Sequence, residues 1–144
     1  LDNMNNIDNI EIKSSDVIKI ARQMQKSNWY PDIIIGPKRE TGVMLSKHYD
    51  KPFFMFSWDN CIRDYYVIQQ IIENNTNKNI LVVDDINNNG KTLLENEKTI
   101  NTYIELGKFT KGDKLSNQVK YAVLFNTENS KFKNVSYVAN LLAN

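Results

Sequence analysis

The chain has 144 residues with 18 basic and 17 acidic side chains, enough for one domain with a real core and too balanced in charge for bulk attraction to nucleic acid or a membrane surface. A single cysteine, Cys61, excludes an intramolecular disulfide framework and fits a reducing, cytoplasmic compartment. No apolar run is long enough to cross a bilayer, no basic-then-apolar leader opens the chain, and the aliphatic content argues against disorder.

Residues 1–13 read as a polar lead-in, and 14–144 as a single domain. From Ser14 or Ser15 to about Ser27, apolar residues at Val17, Ile18, Ile20, Ala21 and Met24 recur with helical spacing, and Ser15 is the expected N-cap. Trp29-Tyr30-Pro31-Asp32 stops that helix, and Ile33-Ile34-Ile35 forms a short strand ending at Gly36. A charged loop, Pro37 to Gly42, leads to a helix over about Thr41 to His48 or Tyr49, where His48 reads as structural or exposed. Pro52 precedes a strand over Phe53-Phe54-Met55-Phe56. Ser57 to Asn79 is the least regular stretch, with helix expected only over Val67 to Ile72. A strand at 80–84, a helix from about 91 to 106 and a polar connection from Gly107 to Gln118 follow. Tyr121 to Phe125 reads as a fourth strand and Val135 to Val138 as a fifth. Apolar strands alternating with amphipathic helices predict an α/β fold with a mainly parallel sheet flanked by helices. The strands lack internal polar alternation, which predicts that both faces of the sheet are covered.

The densest chemistry lies in Ile80-Leu81-Val82-Val83-Asp84-Asp85-Ile86-Asn87-Asn88-Asn89-Gly90-Lys91-Thr92. A buried strand ends in two carboxylates, then a polar loop with Gly opens a helix. Ligands of open α/β sheets bind beyond the carboxyl ends of the strands. The free N–H groups at a helix start suit a phosphate. Asp84 and Asp85 suit ribose hydroxyls or Mg²⁺, and Asn88, Asn89, Gly90, Lys91 and Thr92 suit a phosphate cradle. Gly90-Lys91-Thr92 also matches the end of a Walker loop, but position 85 is Asp where that motif requires Gly.

The segment resembles the ribose-phosphate signature of type I phosphoribosyltransferases: a hydrophobic strand, two acidic residues, a short polar loop with Gly, and Thr. The Gly36-Pro37-Lys38-Arg39 loop and the Ser130-Lys131-Phe132 segment are most similar to the xanthine and hypoxanthine-guanine branch found in phages and bacteria. The resemblance implies a Rossmann-like core with a reduced or missing hood, and transfer of ribose 5-phosphate from PRPP to a nucleobase, a purine by preference. It further implies Mg²⁺, pyrophosphate release and a homodimer. It places Asp84 and Asp85 at the ribose and the metal, residues 88–92 at the 5′-phosphate and Lys38 and Arg39 at the pyrophosphate. Arg63, Asp64 and Tyr65 (with Tyr66) would fall in a mobile flap that covers the substrate.

The chain departs from the family pattern at several positions. Asn88 stands where purine members usually carry an Asp acting as general base or acid; an amide hydrogen-bonds but exchanges no proton at neutral pH. Asn89 stands in place of the usual Thr, Ser or Ala, and Glu40-Thr41 in place of two glycines. Phe125-Asn126-Thr127 occupies the place of a basic residue after the last core strand. These departures leave a second expectation beside the enzyme: a non-catalytic PRPP- or nucleotide-binding regulatory protein of the same fold.

Overall fold

A computed structural model describes residues 11–56, 62–111 and 117–142, of which 62–65 and 109–111 are described by backbone alone. Its elements in chain order are α1 (Ser14–Ser27), β1 (Ile33–Gly36), α2 (Arg39–Tyr49), β2 (Phe53–Met55), α3 (Ile62–Asn74), β3 (Asn79–Asn87), α4 (Lys91–Lys111), β4 (Gln118–Thr127) and β5 (Tyr137–Leu142). The five strands form one sheet in the order β2-β1-β3-β4-β5, and every pairing is parallel. No helix among the described residues is long and apolar enough to cross a membrane.

Two apolar layers cover the sheet, as the unbroken apolar strands predict. Val17, Ile20 and Met24 of α1 and Leu45 of α2 pack with Ile34, Leu81, Val83, Ala122 and Leu124 on one face. Ile68, Ile71 and Ile72 of α3 and Leu93, Ile100 and Ile104 of α4 pack with Ile33, Ile35, Ile80, Val82, Tyr121 and Val123 on the other. Each helix contributes a stripe at three- and four-residue spacing, the period of a helix face.

Several expected boundaries move. The N-cap of α1 is Lys13, not Ser15; the Asp16 carboxylate accepts the Lys13 N–H at 3.2 Å, so the cap is supplied from inside the first turn. Helix α2 begins at Arg39, which shortens the charged loop, and the Gly42 N–H already donates to the Lys38 carbonyl at 3.2 Å. Within the stretch expected to be least regular, Ile62–Asn74 is the 13-residue helix α3, which contains the expected helix over Val67 to Ile72 and extends it to include Arg63, Asp64, Tyr65 and Tyr66. No Gly or Pro interrupts it, and Ile68, Ile71 and Ile72 supply a buried stripe. Strands β3 and β4 are longer than their apolar cores. They pair in constant register from Asn79↔Gln118 to Asn87↔Asn126, so the ladder carries polar ends that hydrophobicity alone does not mark. Helix α4 continues to Lys111, and β5 lies at Tyr137–Leu142 rather than 135–138.

The topology positions the site. From β1 the chain adds β2 on one side, then crosses to add β3 on the other. The crevice beyond the carboxyl ends of β1 and β3 is therefore the topological switch point, where open α/β sheets bind ligands.

Candidate functional site

Glycine lets the two central strands close up where they reach the crevice. A Cβ on Gly36 would lie 2.1 Å from the Val83 carbonyl oxygen, so a side chain there would push β1 off β3 just before the acidic pair. The Gly36 carbonyl is used in turn, accepting the Phe56 N–H at 2.9 Å.

Asp84 and Asp85 lie within β3, three and two residues before its end, not at its last residue. Side chains alternate across a strand, and register is unbroken here, with Asp84 opposite Val123 and Ile86 opposite Phe125. Asp84 thus shares the face of Val82 and Val123, beneath α3 and α4. Asp85 is turned to α2, where the Thr41 hydroxyl donates to its Oδ1. Thr41 is buried, so this donor is withheld from water.

Both carboxylates are poorly compensated. Asp84 is 4% exposed, and burial pushes its pKa up to about 7. The Asp85 N–H, donated to Asp84 Oδ1 at 2.7 Å, and the charge of Lys38 pull it down, while the charge of Asp85 adds to the rise. Burial also raises Asp85, against the Thr41 hydroxyl and Lys38. Buried carboxylates with a shortage of positive charge suit a cation or ligand hydroxyls.

Lys38 caps α2, and Arg39 opens it. Both are exposed, and the field of Lys38 reaches both carboxylates. The fold thus brings Lys38, Asp84 and Asp85 to one crevice, with Arg39 exposed at the first residue of α2.

The loop after β3 is the site's other wall. Gly90 has φ +89°, and a Cβ there would lie 2.5 Å from the Phe132 nitrogen and 2.7 Å from Ser130 Oγ. Only glycine meets both conditions. The Asn89 side chain accepts the Lys91 N–H at 2.9 Å, capping the start of α4. Asn88, Asn89 and Lys91 are exposed, and Thr92 is half-buried.

A polar clasp that the sequence did not reveal holds this loop from behind. Asn87 is buried; its Nδ2 donates to Asn126 Oδ1 at 2.8 Å and to the Phe132 carbonyl at 3.0 Å. Its Oδ1 accepts from Ser130 Oγ at 2.6 Å. Thr127 Oγ1 donates to the carbonyls of Asn88 at 2.6 Å and Asn87 at 3.0 Å. Thr41, Asn87, Thr127 and Ser130 were absent from the sequence-derived site. Asn87 lies inside the motif, between the acidic pair and the 88–92 loop, and is within reach of a sequence reading. Thr127 and Ser130, some 40 residues downstream, become neighbours only through the β3–β4 register.

The expected flap fares differently. Arg63, Asp64 and Tyr65 are in the first turns of α3 rather than in a loop, their side chains lie outside the described residues, and so do Ser57 to Cys61. His48 is exposed, as expected, with its ring 4.8 Å from that of Tyr49.

No family model and no curated protein matches this sequence. Solved structures do match its fold. A purine phosphoribosyltransferase from Pyrococcus horikoshii is similar at 17% identity and a TM-score of 0.58, covering 88% of this chain and 80% of that one. The xanthine-guanine-hypoxanthine phosphoribosyltransferase of Helicobacter pylori is similar at 17% identity and a TM-score of 0.56, over 90% of this chain and 79% of that one. A Neisseria gonorrhoeae protein with bound ppGpp is similar at 17% identity and a TM-score of 0.56, over 91% of this chain and 80% of that one. The chain has the type I phosphoribosyltransferase fold, and its structural neighbours include purine phosphoribosyltransferases.

Proposed function

We propose that the protein is a phosphoribosyltransferase that transfers ribose 5-phosphate from PRPP to a purine base and releases pyrophosphate. The observation that carries this reading is the meeting of an acidic pair, buried Asp84 and half-buried Asp85, with Lys38 and an α4-opening loop at the switch point of a sheet of this fold. The purine phosphoribosyltransferases among its structural neighbours support the substrate class.

In this mechanism a ring nitrogen of the base forms a bond to the ribose C1 as the C1–O bond to pyrophosphate breaks, and the bonding electrons leave with the pyrophosphate. Positive charge develops at the ribose, and Asp84 and Asp85 stabilise it from either side of β3. Lys38 and Arg39 meet the negative charge that accumulates on the leaving group. The 88–92 loop, with the Thr92 hydroxyl, holds the 5′-phosphate and so fixes C1 relative to the carboxylates. The proton released from the base goes to pyrophosphate or solvent, because the Asn88 amide does not take it at neutral pH.

The acidic pair fits Mg²⁺, which usually binds one or two carboxylates plus substrate phosphates and water. Asp84 or Asp85, each on its own face of β3, would hold it together with the ligand phosphates, and the bound ion would neutralise pyrophosphate charge. As in the family, the working form is a homodimer in the cytoplasm.

Calorimetry with PRPP and Mg²⁺, followed by a pyrophosphate-release screen over guanine, hypoxanthine, xanthine, adenine, orotate and uracil, tests the reading. Binding and release with a purine are expected. Absence of PRPP binding overturns it. Asn88 in place of an acid, and the ppGpp-bound neighbour, favour a second reading as a non-catalytic PRPP- or nucleotide-binding regulator. Tight binding without release for any base is its signature.

A further inference from the structure

Two consecutive carbonyls of the loop after β3 are pinned by the turn that joins β4 to β5. The Asn88 carbonyl accepts the Thr127 hydroxyl at 2.6 Å, and the Asn89 carbonyl accepts the Lys131 N–H at 3.1 Å. Both peptide units are trans. In a planar trans peptide the N–H points opposite to the carbonyl. Pinning these carbonyls toward residues 127–131 therefore turns the Asn89 and Gly90 N–H groups away from that turn. Among the described residues neither N–H has a protein partner. Two adjacent N–H groups aimed the same way form an anion-binding concavity. Gly90, at φ +89°, supplies the backbone conformation this requires.

We propose that Thr127 is a positioning residue for the phosphate cradle: its hydroxyl, with the Lys131 N–H, sets the peptide orientations that present the Asn89 and Gly90 N–H groups to the ligand phosphate. This rests on the reading of the 88–92 loop as the 5′-phosphate site. The clasp around Asn87 makes the device rigid. Ser130 is fixed between Asn87 Oδ1 and the Phe132 N–H at 2.6 and 3.2 Å, so the turn cannot swing away from the loop without breaking buried bonds. Asn88 itself is exposed. Without the Thr127 donor the Asn88 carbonyl loses its anchor, and the 88–89 peptide becomes free to rotate. Loss of the hydroxyl also takes a donor from the Asn87 carbonyl in a buried bond, so the telling readout is the selective loss of phosphate-ligand binding rather than stability.

The test compares Thr127→Val, which keeps the shape and removes the donor, with Thr127→Ser, which keeps the hydroxyl. The probes are ribose 5-phosphate, and pyrophosphate with Mg²⁺, followed by calorimetry. Thr127→Val should weaken ribose 5-phosphate by about tenfold or more and leave pyrophosphate unchanged, while Thr127→Ser stays close to the parent. In the parent, the Asn89 and Gly90 amide resonances should shift on titration with ribose 5-phosphate. Parent-like binding by Thr127→Val, or equal losses in both variants, overturns the proposal. If Thr127→Val does not fold, the parent titration decides: ribose 5-phosphate bound with both amides unmoved overturns it. A parent that binds neither PRPP nor ribose 5-phosphate removes the phosphoribosyltransferase reading as well; a parent that binds while Thr127→Val is unaffected removes only the role of Thr127.

Discussion

Asp84 and Asp85 are neighbours on β3 and serve opposite faces of the sheet. Asp84 sits opposite Val123 beneath α3 and α4, and Asp85 is held by the Thr41 hydroxyl of α2. The pair therefore brackets the strand end rather than forming a two-carboxylate claw, and each carboxylate depends on different surroundings.

Asp84 makes the fold pH-sensitive. Its folded pKa of about 7 lies above the ordinary aspartate value of 3.8. The folded state thus binds the extra proton between these values, and the contribution is fully present below about pH 4 and lost as pH rises through 7. Asp84→Asn keeps an oxygen for the Asp85 N–H and removes the buried charge. It should be more stable than the parent by roughly 2–4 kcal/mol at about pH 8 and nearly equal to it at about pH 4. Denaturant melts at both pH values check this; a variant no more stable at the higher pH contradicts the assigned burial.

The same group should report ligand binding. PRPP with Mg²⁺ brings positive charge to Asp84 and favours its ionised form, so binding near neutral pH releases a fraction of a proton, and affinity falls as pH drops below about 7. Calorimetry in two buffers of different ionisation enthalpy measures the release. Identical heats in both would place the ligand away from Asp84.

Thr41→Val removes the hydroxyl that donates to Asp85. A half-buried carboxylate then loses a donor, at a cost of about 1 kcal/mol in stability. The cost should shrink at low pH, where Asp85 is protonated, and Thr41→Ser should recover most of it. A pH-independent loss would point to packing alone.

Gly90→Ala forces a side chain into positive φ and against the Phe132 nitrogen and Ser130 Oγ. Stability should fall by about 1–3 kcal/mol, and phosphate-ligand affinity should fall with it, since the loop must retreat from the β4–β5 turn. Undiminished ribose 5-phosphate binding by a folded Gly90→Ala would show that the cradle lies elsewhere.

The sequence by itself determined the parallel α/β class, the covered faces of the sheet, and the acidic pair followed by a Gly-containing loop. Those features are local: apolar runs, helical spacing and turn residues act within a few positions of one another. It did not determine that Arg63 to Tyr66 is helical, because the buried stripe that stabilises α3 lies one turn further on, at Ile68, Ile71 and Ile72. Nor did it mark the ends of β3 and β4, where polar residues are held by their ladder and by side-chain hydrogen bonds rather than by apolar packing. Tertiary structure alone decided that Thr41 serves Asp85 and that Thr127 and Ser130 serve the loop after Asn87. A hydrogen bond between residues 40 positions apart has no periodic trace in a sequence; it exists because the register of two parallel strands brings their ends together.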